Sequence, residues 1–158
     1  MRCAVQGSER AMTKNRRRQA RELALQALYG WQLSGSAVTD ATEQMSQLDG
    51  WEFADQGMAR ELLVGVIKRS GDLESLIAPC LAGRSFAELS PVERGILYVG
   101  TLELAARPET PFKVVINEAI ELGKIYGGTD GHRFVNGVLE KLAAQLRPEE
   151  FARTRQAV

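Results

Sequence analysis

Apolar residues recur with the period of an α-helix along most of this 158-residue chain. Between Ala20 and Trp31, small and apolar side chains fall at intervals of three and four positions, which places them on one face of a helix. No segment of useful length alternates between apolar and polar residues, which is the pattern of a half-buried strand. The periodicity therefore predicts an all-α protein of about seven helices joined by short loops.

Capping residues and prolines divide this pattern into separate helices. The clearest start is the segment from Ser90 to Glu93, where serine can cap, proline takes the first helical position and glutamate the third, as in a capping box. A shorter helix is expected to be capped by Thr39 or Asp40. Pro148 is expected to close the last helix.

Three regions follow from these boundaries. Residues 1–13 are predicted to be a flexible leader, because the first eleven are polar and show no periodicity. Residues 14–83 form the predicted N-terminal helical subdomain, and residues 84–158 form the C-terminal one. Met12 directly precedes a basic segment and is expected to be the natural start, with Met1 as the alternative.

The basic segment is the most uneven feature of the charge distribution. Twenty Lys and Arg balance twenty Asp and Glu, so net charge indicates no partner. Five cations nevertheless fall within eight residues: Lys14, Arg16, Arg17, Arg18 and Arg21. Arginine suits phosphate because its planar fork can donate two hydrogen bonds at once. We place these cations on the first turns of a helix, where the helix dipole disfavours them unless an anion binds.

An aromatic residue follows the arginines on the predicted helix. Tyr29 lies eleven positions after Arg18, so the two side chains fall within about 20° of each other around the helix axis. Cations that neutralise phosphates beside an aromatic ring that stacks on a base are typical of single-stranded nucleic-acid recognition. The alternative is a solvated basic tail without function. No motif that reads a duplex groove is legible.

Catalytic and metal-binding patterns are absent from the sequence. His132 is the only histidine, and Cys3 and Cys80 share no metal-type spacing, which suits a reduced cytoplasmic protein. Glu118 and Glu121 lie three positions apart and are interpreted as a solvated helical face. No signal peptide or membrane span is legible. We therefore expect no enzyme, no cofactor and no membrane association.

Three segments resemble the NusB family of bacterial transcription antitermination factors. They are RRRQARELALQALYGWQL at 16–33, LSPVERGILYVGTLEL at 89–104 and PFKVVINEAIELGKIYGGTDGHRFVNGVLEKL at 111–142. The resemblance implies two small helical bundles packed across each other, without catalysis. It also implies binding to the single-stranded boxA RNA of ribosomal RNA leader transcripts together with ribosomal protein NusE. The pair joins other Nus factors on RNA polymerase and makes it resistant to termination.

The resemblance also assigns roles to individual residues. RNA contacts fall on Arg16, Arg17, Arg18, Arg21 and Tyr29. Asp130, in the turn before the last predicted helix, lies beside the RNA-binding surface. Glu93 is the candidate contact with NusE. The chain departs from the family pattern where Gln19 replaces a common arginine.

Two alternatives come from other classes of protein. A domain similar to NusB also forms part of some ribosomal RNA cytosine methyltransferases, which need a second domain with a catalytic cysteine. This chain has no predicted strands, and its two cysteines are Cys3 and Cys80. The other alternative is a structural interaction module whose arginines are incidental.

Overall fold

The computed structural model describes the backbone of residues 2–128 and 131–156, and the side chains of residues 9–128 and 131–154. Over these ranges the chain forms α-helices, two short 3-10 turns and no strand. The helices are α1 (Arg2–Ser34), α2 (Val38–Met45), α3 (Gln56–Ile77), α4 (Pro91–Ala106), α5 (Phe112–Tyr126), α6 (Gly131–Leu146) and α7 (Pro148–Gln156). The predicted all-α class is confirmed.

The sequence predicts two helices between residues 53 and 83, with a break between Ser70 and Gly71. The structure has a kink at the neighbouring Arg69 (φ −114°, ψ 18°), where two helical segments meet within α3, so this break is confirmed. The predicted last helix, α6, ends at Leu146 just before Pro148, as expected, but Pro148 then begins a further helix, α7, that was not predicted. Proline fits the first helical position because its missing N–H has no partner there.

The described chain divides into two compact units, Met1–Val64 and Gly65–Val158, called unit 1 and unit 2 below. The division lies inside α3, whereas the sequence prediction placed it between residues 83 and 84. Sequence patterns place domain boundaries in loops, whereas here the division falls within a helix, so that α3 contributes residues to both units. Residues 2–13 were expected to be a leader, and they form the first turns of α1. The start at Met12 stays a prediction.

Unit 1 is built on the apolar face of α1. The predicted stripe residues Leu23, Ala24 and Leu28 are fully buried, and α1 packs against α2. Ala41 and Met45 of α2 are buried as well. Side chains three and four positions apart share one face of a helix, so the stripe read from the sequence is the face that packs.

Unit 2 has its core between α4, α5 and α6, which contact one another in every pairing. Each helix contributes a stripe of buried aliphatic side chains, among them Val99 and Leu102 of α4, Val115 of α5 and Val138 of α6. The α4 and α6 helices approach closely at Gly100, where an added Cβ would lie 2.9 Å from the Cδ2 atom of Leu139. A larger residue at position 100 would therefore force the side chain of Leu139 to shift.

An ion pair between buried Arg147 and partly exposed Glu150 joins the ends of three helices in unit 2. Arg147 donates hydrogen bonds to the carbonyl oxygens of Leu104, Glu103 and Arg107 across 3.0, 2.9 and 2.7 Å, and its Nη1 also donates to the carbonyl oxygen of Thr110. Nη1 lies 3.1 Å from the Glu150 carboxylate. Arg147 therefore donates to carbonyl oxygens at the end of α4 and in the connection to α5, where the carbonyls of Glu103 and Arg107 also accept backbone N–H groups.

The Glu150 carboxylate also caps the start of α5. The Oε1 atom of Glu150 accepts a hydrogen bond from the backbone N–H of Phe112 across 2.9 Å. Phe112 is the first residue of α5, whose own cap position, Pro111, provides no side-chain hydrogen bond. A cation at the end of α4 and an anion at the start of α5 both match the polarity of the helix dipole.

Capping agrees with the sequence at one helix and differs at another. Ser90 and Glu93 form the predicted capping box at the start of α4. The short helix α2 begins at Val38 after Ala37, and no side chain caps it. Thr39 and Asp40, the predicted caps, therefore lie inside its first turn, where Asp40 places a negative charge that suits the helix dipole.

Tyr98 links α4 to α3 within unit 2. Its hydroxyl donates a hydrogen bond to the Oε1 atom of Glu74 across 3.0 Å, and its ring packs edge-on against Phe86 with centroids 5.2 Å apart. Burial raises the pKa of Tyr98 well above its ordinary value, and the nearby Glu74 carboxylate raises it further. The tyrosine therefore stays protonated and acts as a hydrogen-bond donor.

Candidate nucleic-acid interface

The basic segment lies in the middle of α1 and not at its start. Helix α1 is 33 residues long and begins at Arg2, so Lys14 comes twelve residues after its first residue. The dipole of a helix acts within its terminal turns. The expectation that these cations cost folding energy because of the helix dipole is therefore wrong, and their position gives no separate argument for an anion.

The four predicted arginines differ in exposure. Arg16 and Arg17 are exposed, and Arg18 is half-buried. Arg21 is only 3% exposed, since it lies on the same helical face as the buried residues Leu25 and Leu28. Its side chain is buried, so Arg21 is less accessible to RNA than its neighbours, and its assignment as an RNA contact stays a prediction. The available cations are those from Lys14 to Arg18.

Tyr29 lies on the surface of α1, with 45% of the residue exposed. Because α1 is continuous from Arg18 to Tyr29, their eleven-residue spacing corresponds to about 16 Å along the helix. The two residues share one side of the helix, as the sequence predicts, and they are not in contact. The ring is thus available to stack at a distance from the cations.

The turn before α3 packs against the basic segment of α1. The backbone N–H of Asp55 donates to the carbonyl oxygen of Arg16 across 3.1 Å. Gly50, which has φ +92°, leaves no room for a Cβ because the side-chain amide of Gln19 occupies that space. Residues 50–55 are therefore held beside residues 16–19, a contact between distant parts of the chain that the sequence did not predict.

This turn brings aromatic rings to cationic side chains. The guanidinium carbon of Arg16 lies 5.6 Å from the centroid of the Phe53 ring, and that of Arg60 lies 5.0 Å from the Trp51 ring. Both distances fit cation–π attraction. Phe53 is 45% exposed. We call Arg16 and Phe53, with the turn that holds them, the Phe53 cluster.

Glu93, the predicted protein contact, already has partners within unit 2. Its Oε1 atom accepts from the backbone N–H of Ser90 across 3.3 Å, and its Oε2 atom lies 3.7 Å from Arg84. Its side chain is 16% exposed. Arg84, whose side chain is 43% exposed, also lies 4.5 Å from the Phe134 ring centroid. The surface around Glu93 therefore presents the positive charge of Arg84 as well as the negative charge of Glu93.

Of three other residues considered in the sequence analysis, two are buried and one lies outside the described part of the chain. Asp130 lies outside the residues that the structure describes. Cys80 is a buried free thiol. Glu118 is 4% exposed, so the expected solvated face is wrong for this residue, which faces into unit 2. Among the described residues, no group of histidine, cysteine and acidic side chains has a metal-binding arrangement.

No helix in the described part of the chain is both long and apolar enough to cross a membrane. The longest, α1, carries the basic segment.

Comparisons with known proteins agree with the fold and with the segments noted in the sequence. The transcription antitermination protein NusB of Nitrosomonas europaea is 53% identical over 138 residues, which cover 87% of this chain and 82% of that protein. The structure of NusB from T. maritima superimposes with a TM-score of 0.76 at 30% identity, covering 85% of this chain and 96% of that one.

A third similar protein was solved in a complex. It is a chain from the crystal structure of the antitermination factors NusB and NusE with double-stranded RNA. The superposition has a TM-score of 0.68 at 25% identity and covers 81% of this chain and 96% of that chain.

The fold and the site define an all-helical protein with an exposed, arginine-rich and tyrosine-bearing helix. The sequence model of the NusB family matches residues 18–144. The chain belongs to the NusB family, and the resemblance seen in its sequence is confirmed.

Proposed function

We propose that this protein is a transcription antitermination factor that binds the single-stranded boxA RNA of ribosomal RNA leader transcripts. One observation carries the proposal: exposed Arg16 and Arg17, half-buried Arg18 and exposed Tyr29 all belong to one continuous helix. The arginines neutralise phosphates, and the tyrosine stacks on an unpaired base. Asp130, which the resemblance assigns to the RNA-binding residues, stays a prediction.

Ribosomal protein NusE is the proposed protein partner. The similar chain solved together with NusE and RNA supports this partner. We propose that NusE contacts unit 2 near Glu93, where Arg84 shares the charge. The assembled pair then joins other Nus factors on RNA polymerase and makes it resistant to termination. The protein works in the cytoplasm, where bacterial transcription takes place.

The alternative of a methyltransferase has less support. This chain covers 82% of the length of the Nitrosomonas europaea relative and 96% of that from Aromatoleum aromaticum, and both are named transcription antitermination proteins. Within the described residues, the free cysteine Cys80 is buried. A buried thiol suits a structural position and not a nucleophile that must reach a base. A binding factor without catalysis is therefore the better proposal.

RNA binding tests the proposal directly. A labelled boxA oligoribonucleotide is titrated with the protein at several salt concentrations, with and without NusE, and anisotropy is recorded. The same RNA annealed to its complement is the matched control, because the similar complex contains double-stranded RNA. Tighter binding to the single strand, strengthened by NusE, supports the proposal. Equal or tighter binding to the duplex contradicts the single-strand assignment.

Transcription provides the functional test. RNA polymerase with the other Nus factors transcribes a template that carries boxA upstream of a terminator. The protein should raise the fraction of transcripts that pass the terminator, and a template with a scrambled boxA should show no such increase. An equal effect on both templates would contradict recognition of boxA.

A further inference from the structure

Phe53 is an exposed ring held in a fixed position beside the basic segment. It is 45% exposed, so it adds little to the apolar core of unit 1. The chain nevertheless holds its turn in place by two separate contacts. Asp55 donates its backbone N–H to Arg16, and Gly50 closes on the side chain of Gln19. The turn is also anchored to α3, because the Oδ1 atom of Asp55 accepts the N–H of Met58 across 3.1 Å.

The chemistry of the pair fits a nucleotide. The guanidinium of Arg16 lies 5.6 Å from the Phe53 centroid, within reach of the ring and exposed to solvent. A base can stack on an aromatic face whatever its sequence, and an adjacent guanidinium can donate to the flanking phosphate. The ring and the cation therefore offer two complementary contacts to one nucleotide of a single strand.

We propose that the Phe53 cluster is a second base-stacking site for RNA, in which Phe53 takes one unpaired base and Arg16 its phosphate. The inference rests on the proposed function, because it concerns the same RNA. It adds a contact from a turn distant in sequence from α1, and it gives Arg16 a role distinct from that of Arg17 and Arg18.

The position of the cluster also fixes the path of the RNA. Arg16 and Tyr29 are thirteen residues apart on α1, which corresponds to about 20 Å along the axis and about 140° around it. The two stacking sites therefore lie on different sides of the helix. A strand that uses both must cross α1 obliquely and cannot run parallel to it. Each site then holds a different end of the bound RNA.

The test compares three substitutions at Phe53 in the full chain, with the labelled single-stranded boxA oligoribonucleotide as probe. Phe53→Leu keeps an apolar side chain but removes the ring face, and we expect binding to weaken about 5- to 150-fold. Phe53→Ala should weaken binding as much. Phe53→Trp keeps a stacking face and should bind within about threefold of the unmodified chain. Circular dichroism checks that each variant is folded.

Two further measurements separate stacking from charge and from position. Phe53→Leu should leave the salt dependence unchanged, whereas Arg16→Gln should flatten its log–log slope by roughly 0.7 because one phosphate contact is lost. RNA trimmed stepwise from one end should lose its dependence on Phe53 before it loses its dependence on Tyr29, and trimming from the other end should reverse this order.

The outcomes distinguish this inference from the function on which it rests. If the unmodified chain binds RNA and Tyr29→Ala weakens it, but folded Phe53→Leu and Phe53→Ala bind as tightly as the unmodified chain, the second stacking site is wrong and the proposed function stands. If Phe53→Leu binds as well as Phe53→Trp while Phe53→Ala does not, an apolar contact replaces stacking and the inference also fails. If the unmodified chain binds no RNA, both proposals fail.

Discussion

Arg147 donates its Nε hydrogen to the carbonyl oxygen of Leu104 across 3.0 Å, so a buried cation closes the end of α4. The side chain of Arg147 is 7% exposed, and its charge is balanced by Glu150. Because the backbone carbonyls it satisfies come from residues 103 to 110, one side chain fixes the connection between α4 and α5. The geometry makes Arg147 a structural residue of unit 2.

Arg147→Met should destabilise the protein strongly. The substitution keeps an unbranched apolar side chain but removes the cationic partner of Glu150 and the hydrogen bonds that Arg147 donates to the carbonyls of Leu104 and Thr110. We expect the free energy of unfolding to fall by about 3 to 5 kcal/mol, measured by urea denaturation followed by circular dichroism. Glu150→Gln, which retains an oxygen acceptor for Phe112, should cost less. A loss below about 1 kcal/mol for Arg147→Met would contradict the structural role.

Two helical glycines should respond in opposite directions to alanine. Gly100→Ala places a methyl group 2.9 Å from the buried side chain of Leu139, and overpacking of this kind costs about 1 to 3 kcal/mol. Gly137→Ala meets no atom within 4 Å and should stabilise α6 by about 0.5 to 1 kcal/mol, because alanine loses less backbone entropy. Thermal melting of both variants checks this. The same sign of effect for both would contradict the close approach of α4 and α6.

Arg17 and Arg21 should have different roles although both belong to the basic segment. Arg17→Gln should flatten the log–log salt dependence of RNA binding by roughly 0.7 and leave stability within about 0.5 kcal/mol, because the residue is exposed. Arg21→Gln removes a buried charge from its partners and should cost about 2 to 5 kcal/mol of stability. Salt titrations and melting curves of both variants are compared. A stable Arg21→Gln with a flattened slope would contradict the structural role and support Arg21 as an RNA contact.

Tyr29→Ala should weaken RNA binding by about 1 to 3 kcal/mol and leave NusE binding unchanged. The ring is exposed, so its removal has little effect on the core. Tyr29→Phe is the matched variant, since it keeps the stacking face and removes only the hydroxyl, and it should bind nearly as well as the unmodified chain. Anisotropy with RNA and calorimetry with NusE measure the two affinities. Loss of NusE binding with RNA binding intact would reverse the assignment of surfaces.

Glu93→Lys should weaken NusE binding and spare RNA binding. The substitution reverses a charge in the neighbourhood of Arg84 and removes one half of the capping box. Ser90→Ala removes the other half and leaves the charge in place, so it controls for the stability loss of about 1 kcal/mol expected from a lost cap. Melting curves match the two variants before calorimetry with NusE. Equal NusE affinity for both would show that the charge of Glu93 makes no contact.

The helical periodicity predicts the fold class because each stripe of apolar residues marks the face of the helix that is buried in the core. Leu23 and Leu28 of α1 are fully buried as the spacing indicates, and the Ser90 capping box forms where local sequence alone satisfies both partners. Helix α7 was not predicted, since its contacts with the rest of unit 2 include the ion pair of Glu150 with Arg147 and the ring contact of Phe151 with Phe112, a residue distant in the sequence. Tertiary contacts of this kind leave no periodic pattern in the sequence.

Parts of the candidate site could also be predicted from local sequence, and one part could not. The exposure of Arg16 and Arg17 agrees with their position before the apolar stripe begins, and the burial of Arg21 could have been read from its spacing to Leu25 and Leu28. Phe53 is different. Its place beside Arg16 depends on the turn at Gly50, a contact between residues 37 positions apart in the chain. No local pattern predicts such a pairing.

The division between the two units falls between Val64 and Gly65, inside the hydrogen-bonded helix α3. A protease that attacks the folded chain cuts loops first, so the fragments it releases should not correspond to the two units. Recombination between relatives meets the same obstacle, because a crossover at the division joins half-helices that evolved with different partners. We therefore expect segment exchange to be tolerated poorly at the division and best at the loops, such as residues 35–37 after α1.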